Sequence, residues 1–207
     1  MTKIDTIIFD LGGVLIDWNP EYVFLDAFNG NQEKTKWFLE NICTSDWNEN
    51  QDAGYPLQQA TKDLVEKFPA YERYIKLFYG KWEQMLGGEI KGTVEILKGL
   101  IDSEKFKVVA LTNWSIETFP IALGRFDFLQ WFEGIVVSGE EKTRKPFKKI
   151  YDITLDRFNI NPENAIFIDD NLRNIQAAQA LGIHAIHFKN PVQLKKHLRT
   201  YNINNLS

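Results

Sequence analysis

Apolar residues along this chain fall into two alternating kinds of run. Short, nearly continuous runs occur at Thr6-Ile7-Ile8-Phe9, Val108-Val109-Ala110-Leu111, Ile135-Val136-Val137, Ala165-Ile166-Phe167-Ile168 and Ala185-Ile186-His187-Phe188. Unbroken apolarity over four residues predicts strands buried on both faces, as in a parallel sheet covered by helices. Between them the spacing changes to helical. Val94, Leu97, Leu100 and Ile101 form one stripe; Leu172, Ile175, Ala178 and Leu181 form another, which Gly182 ends as a C-terminal cap. Asn190-Pro191 opens a last helix with Leu194, Leu198 and Tyr201 turned inward. This alternation from about residue 93 onward predicts an α/β fold, a doubly wound, Rossmann-like parallel sheet.

The first interval breaks the rhythm. About 100 residues separate the first two strands, where a crossover needs only a dozen or more. Residues 92–103 can supply the crossover helix, which leaves 17–90 surplus. That surplus holds helix-like stretches at 20–28, 32–42, 56–67 and 69–86, punctuated by Asn29-Gly30-Asn31, Asp52-Ala53-Gly54 and Phe68-Pro69. The predicted organisation is a core of residues 1–16 and 91–207 carrying an inserted helical domain of residues 17–90. A polar and aromatic loop, Ser45 to Tyr55, is expected between two of its helices.

Composition narrows the function classes. The 207 residues are 44% hydrophobic and 25% charged, enough for a sizeable core without staples. Twenty-four Lys and Arg against 28 Asp and Glu give a net charge of −4, which offers no general attraction to nucleic acid or anionic membrane. No apolar run reaches the ~18–20 residues of a bilayer span, and Met1-Thr2-Lys3-Ile4-Asp5 lacks the order of a signal peptide. One cysteine, Cys43, excludes an internal disulfide and reads as a packing residue in a helix. The expectation is a mature cytoplasmic protein, monomer or homodimer, with a small-molecule partner. His184 and His187 fall on opposite faces of a strand and are not expected to share a metal.

Ligands of open α/β sheets bind beyond the carboxyl ends of the strands. Residues leaving the strands here are Asp10-Leu11-Gly12-Gly13, Thr112-Asn113-Trp114-Ser115, Arg144-Lys145-Pro146 and Asp169-Asp170-Asn171. One edge thus gathers three carboxylates, a hydroxyl, an amide and a lysine. Three enclosed carboxylates repel one another unless a cation compensates, and oxygen ligands beside a phosphate suit Mg²⁺. An Asp can attack phosphorus to form an aspartyl-phosphate, while Thr112 and Asn113 can bond phosphoryl oxygens and Gly12-Gly13 admits a close backbone approach.

These four stretches, in this order, resemble the motifs of the haloacid dehalogenase-like hydrolase superfamily, and the helical insert resembles its C1 cap. The resemblance implies Asp10 as nucleophile and metal ligand, the Gly12 carbonyl and Asp170 as further Mg²⁺ ligands, and Lys145 as the charge-neutralising lysine. It also implies Thr112 and Asn113 as the phosphate-binding motif. Asp169, also in the acidic metal motif, takes a supporting place, and Asn174 stands where many members have another Asp. Most phosphatases of the family carry Asp two residues after the nucleophile, as general acid and base; here that residue is Gly12. The same Asp-x-Gly pattern is similar to the subgroup containing sugar-1-phosphate phosphatases. This implies a small phosphorylated metabolite with a fairly good leaving group, or a substitute acid, for which Asp17 is conceivable. In the insert, Trp47, Asn48, Asp52 and Tyr55 are candidate substrate contacts, as is Trp114 in the core. Three alternatives stay open: a 2-haloacid dehalogenase, which needs no metal; a phosphotransferase or mutase; and a regulatory phosphate-binding protein without turnover.

Overall fold

The computed structural model describes residues 3–204; Met1, Thr2 and the last three residues of the expected core segment lie outside it. Five strands form a parallel sheet: β1 (Thr6–Phe9), β4 (Lys107–Thr112), β5 (Ile135–Val137), β6 (Ala165–Asp169) and β7 (His184–His187), in the order β5-β4-β1-β6-β7. The predicted α/β sheet is therefore present, each strand within a residue or two of its predicted limits. The remaining strands, β2 (Ile16–Trp18) and β3 (Leu86–Glu89), pair antiparallel as a separate stem.

The helical insertion lies on that stem. It comprises α1 (Glu21–Ala27), α2 (Gln32–Asn41), α3 (Ser45–Asp52), α4 (Leu57–Lys67) and α5 (Glu72–Gly80). The core helices are α6 (Lys91–Asp102), α7 (Phe119–Arg125), α8 (Ser138–Glu141), α9 (Lys148–Arg157), α10 (Leu172–Ala180) and α11 (Pro191–Thr200). Leu172, predicted to face the core, is at the first position of α10 and is exposed.

Three expectations need correction. The stretch 45–55 is not a loop: Ser45–Asp52 is helical, begun by Thr44, whose hydroxyl accepts a hydrogen bond from the Trp47 amide at 3.1 Å. The long helix expected over 69–86 is α5 with short 3₁₀ turns at Pro69–Tyr71 and Trp82–Met85. Cys43 sits in the turn after α2 rather than in a helix; it is buried, and burial pushes its thiol up.

Apolar packing joins the two parts of the molecule. Phe24, Phe28, Phe38 and Phe78 stack together inside the insertion, with Phe24 and Phe38 ring centres 4.9 Å apart. Trp82 meets Trp114 at 5.4 Å, and Trp114 meets Phe119 at 5.7 Å, so one buried cluster runs from the insertion into one face of the sheet. A second cluster, including Ile8, Val109, Leu111, Phe167 and Ile175, fills the other face.

Polar contacts add to this seam. Glu49 on α3 is ion-paired with Arg144 at 2.8 Å and accepts a hydrogen bond from Arg173 at 2.5 Å, and both Glu49 and Arg144 are largely buried. Ser138 Oγ donates to the Asp52 carbonyl, and the Leu57 amide donates to Glu117 at 2.9 Å. The insertion is therefore closed against the carboxyl edge of the sheet.

Candidate active site

β1 is the central strand, and the chain crosses from one side of it to the other between β5 and β6. That makes the carboxyl end of β1 the switch point of the sheet, where a crevice opens. Asp10 is the first residue beyond β1, and its amide donates to the Ile168 carbonyl of β6 at 2.8 Å. The same edge presents Thr112 as the end of β4 and Asp169 as the end of β6, so register alone brings three motifs side by side.

Lys145 comes in from the loop after α8 and is 1% exposed. Its ammonium lies 2.9 Å from Asp10 Oδ1 and 2.7 Å from Asp169 Oδ2, and donates to the Leu111 carbonyl at 3.1 Å. Two hydrogen bonds, to Asp169 and the Leu111 carbonyl, with the ion pair to Asp10, fix the charge in place beside Asp10. Asn113 anchors that loop: its Nδ2 donates to the Lys145 carbonyl at 3.0 Å and its Oδ1 accepts from the Lys145 amide at 2.9 Å. The Asn113 carboxamide, expected on a phosphoryl oxygen, is thus engaged in positioning Lys145. Thr112 Oγ1 is buried with no hydrogen-bond partner, among the described residues, and so stays free to donate.

Asp10, Asp169 and Asp170 each offer a carboxylate oxygen within 4.8 Å of the others. They differ in what already holds them. Asp169 is wholly buried, and its oxygens accept from Lys145, from the Asn171 amide at 2.8 Å and from Asn174 Nδ2 at 3.0 Å and 3.1 Å. That saturation favours a supporting place for Asp169 over direct ligation. Asn174, at the position where many members of the resembled family have another Asp, orients Asp169. Asp170 is the exposed member of the three, its backbone carbonyl meeting His187 Nε2 at 2.9 Å. Gly13 makes its approach possible: φ is +73°, and an added Cβ would stand 2.3 Å from Asp170 Oδ2.

Burial holds the Asp10 carboxyl well above the ordinary carboxylate range. Lys145 pulls it down, while Asp169 and Asp170 push it up. Asp170 is likewise raised, by burial first and Asp169 second. The opposite charges of Asp10 and Asp169 outweigh burial at Lys145 and raise it. Three carboxylates against one ammonium leave an uncompensated negative site, a donor set of hard oxygens that fits a divalent cation such as Mg²⁺.

A cavity of about 220 Å³ opens over this edge, walled by the core residues Asp10, Gly12, Gly13, Asn113, Trp114 and Asp170. The insertion and its stem contribute Trp18, Asn48, Asp52 and Trp82. Trp114, Asn48 and Asp52 therefore lie where expected. Trp47 does not: its ring packs on Phe78 at 5.1 Å and on Tyr79 at 5.4 Å, inside the insertion. Tyr55 is also away from the cavity wall, its hydroxyl donating to Asp63 at 2.6 Å. Asp17 accepts from the Tyr22 hydroxyl at 2.6 Å and is not part of the wall either.

Sequence reasoning missed Trp18, the last residue of β2, and Trp82, in the turn before β3, because the stem carried no clear strand signal. It also missed Glu49, Arg144 and Arg173 as the polar seam. For Glu49 a usable signal existed: Thr44 as cap with Asp46 in the first turn marks a helix start and would have put it on the face of Asn48 and Asp52.

This chain resembles several known proteins. The chain is 24% identical over 185 residues to a phosphorylated carbohydrates phosphatase of Thermotoga maritima, covering 89% of this chain and 84% of that protein. It is 26% identical to a sesquiterpene phosphatase of Aspergillus oryzae, covering 96% of each. Among solved structures, a haloacid dehalogenase family enzyme of Bacteroides thetaiotaomicron, in complex with magnesium and inorganic phosphate, superposes with a TM-score of 0.66 at 24% identity; 90% of this chain and 95% of that one are covered. Residues 7–188 match the family pattern itself, and the chain belongs to the haloacid dehalogenase-like hydrolases.

Proposed function

We propose that this hydrolase is a Mg²⁺-dependent phosphatase of small phosphorylated metabolites, working through an aspartyl-phosphate on Asp10. The observation that carries the reading is the placement of Lys145 Nζ 2.9 Å from Asp10 Oδ1 inside a cluster of three carboxylates. In this reading Asp10, the Gly12 carbonyl and Asp170 hold the ion, and Asp169 fixes Lys145. When bound, Mg²⁺ supplies the positive charge that lets a phosphate dianion approach the acidic site.

The chain's own residues do the rest. Lys145 keeps one Asp10 oxygen fixed and offsets charge as the other attacks phosphorus. Thr112 Oγ1 donates to a phosphoryl oxygen, and Asn113 holds the Lys145 loop in register. The closed insertion keeps bulk water off the acyl phosphate until the leaving group has departed. Its Asp-x-Gly first motif and inserted helices support a reading as a C1-capped enzyme similar to sugar-1-phosphate phosphatases. A wall of Trp18, Trp82 and Trp114 with Asn48 and Asp52 suits a sugar, apolar on its ring faces and polar at its edge.

A 2-haloacid dehalogenase reading is disfavoured by the Asp169-Asp170 pair, which would repel a carboxylate substrate. The test is phosphate release from hexose phosphates and a terpenyl phosphate, with and without Mg²⁺. The proposal predicts release that EDTA abolishes and Mg²⁺ restores. Metal-independent turnover of 2-chloropropionate, with no phosphate release, would replace it with the dehalogenase reading.

A further inference from the structure

In-line displacement at phosphorus puts the entering and departing oxygens on opposite sides. Asp10 enters from the sheet, so the leaving oxygen departs toward the insertion. When water later opens the acyl phosphate, it comes in from that same side. A proton donor for the first step and an acceptor for the second must therefore sit on the insertion side of the cavity. Gly12 has no side chain to do this. Among the residues lining the cavity, the titratable side chains are Asp10, Asp170 and Asp52. The first two are the attacking group and a metal ligand in the reading above. Asp52, at the end of α3, remains.

Its surroundings hold it ready. Tyr79 Oη donates to Asn48 Oδ1 at 2.9 Å, which turns the Asn48 amide so that Nδ2 donates to Asp52 Oδ2 at 3.0 Å. That bond occupies Oδ2 and leaves Oδ1 outside it. Ser138 Oγ donates to the Asp52 carbonyl, tying the residue to the end of β5. Groups facing it are Glu49 from its own helix, the Ser115 amide from the β4 loop, and Arg144 and Lys145 from the loop after α8. Burial, then Glu49, raise its carboxyl from the ordinary 3.8 to about 7, against the pull of Ser115, Arg144 and Lys145. A group titrating there can give a proton and take it back near neutral pH.

We propose that Asp52, carried by the inserted helices, is the general acid and base of this enzyme. This rests on the phosphatase reading. In the first half, an Asp10 oxygen bonds phosphorus, the P–O bond to the leaving group breaks, and that oxygen takes the proton of Asp52. The products are the alcohol, the aspartyl-phosphate and the Asp52 carboxylate. In the second half, that carboxylate takes a proton from water as the water oxygen bonds phosphorus. The P–O bond to Asp10 breaks, releasing hydrogen phosphate and restoring both side chains.

The test is Asp52→Asn assayed by kcat/KM on aryl phosphates graded from p-nitrophenyl to phenyl, and on glycerol phosphate. Loss should be about 10²–10⁴-fold for the alkyl ester and under about tenfold for p-nitrophenyl phosphate, whose leaving group needs no proton. Gly12→Asp in the Asp52→Asn background should recover alkyl ester turnover, since a Cβ at Gly12 meets nothing within 4 Å. An equal loss on all substrates, with a beryllofluoride adduct still forming at Asp10, would overturn the role of Asp52 and leave the phosphatase reading intact. Failure of the wild-type protein to form that adduct with Mg²⁺ would overturn the phosphatase reading, and the inference with it.

Discussion

Lys145→Met removes the one cation from the acidic cluster while keeping most of the side chain's volume. The structure sets the scale. Lys145 has no side-chain exposure, contacts Asp10 at 2.9 Å and Asp169 at 2.7 Å, and Asp169 has none either. Deleting one partner of a buried ion pair costs about 3–5 kcal/mol, because the remaining charge stays desolvated. For a chain of this size that is a fall of roughly 6–20 °C in Tm. The loss should depend on pH. Burial already holds Asp10 above the ordinary carboxylate range, and the ammonium that pulled it down is gone in the variant. The folded variant therefore keeps a proton that the unfolded chain gives up. Its deficit is largest at pH 7.5 and shrinks as pH falls toward about 4, where the unfolded carboxyl is protonated too. Urea unfolding of both proteins at pH 7.5 and pH 5, without divalent metal, reads this directly; Mg²⁺ at pH 7.5 should narrow the gap. A deficit below about 1 kcal/mol, or one equal at both pH values, would refute the argument that Lys145 balances a buried acidic cluster.

Three further outcomes follow from neighbouring residues. Thr112→Val removes a buried hydroxyl that has no partner, so the ligand-free protein should be unchanged or more stable by up to about 1–3 kcal/mol, while stabilisation by phosphate with Mg²⁺, read by thermal shift, should fall; Thr112→Ser should keep it. Gly13→Ala puts a methyl 2.3 Å from Asp170 Oδ2 at a φ of +73°, so it should cost about 1–3 kcal/mol and weaken Mg²⁺ binding measured by calorimetry. Asp52 is raised from 3.8 to about 7, so the folded state keeps a proton the unfolded chain has lost, and wild-type stability should decline between about pH 4 and pH 7 relative to Asp52→Asn. Its upper bound is about 4 kcal/mol, less for a side chain that keeps some solvent contact.

The core sheet was legible because strands buried on both faces leave no polar residue to interrupt the run: Ile7, Ile8 and Phe9, or Ile166, Phe167 and Ile168, are all within 1% of complete burial. Once those strands were placed, Asp10, Thr112, Asp169 and Asp170 followed at strand ends on one edge, whereas Lys145 reaches that edge from the loop after α8. The insertion was harder for the opposite reason. The sequence of α3, Ser-Asp-Trp-Asn-Glu-Asn-Gln-Asp, has a single apolar residue, so no stripe marks it as a helix; its inward face is polar because it meets Arg144, Arg173 and the cavity rather than a core. The stem strands are three and four residues long, and β3 contains two glycines, which removes the pattern a strand is read from. Trp47 and Trp114 were indistinguishable by type. Only the fold shows that one packs on Phe78 while the other faces the cavity.

The central claim is that Asp10 attacks phosphorus beside Lys145, and acid-quenched single turnover tests it most directly. After mixing with a hexose phosphate and Mg²⁺, peptide mapping by mass spectrometry should find one acid-stable, hydroxylamine-sensitive phosphoryl group on Asp10, and none in Asp10→Asn, which should fold but not turn over. A phosphoryl group on another residue, or wild-type turnover by Asp10→Asn, would contradict the account.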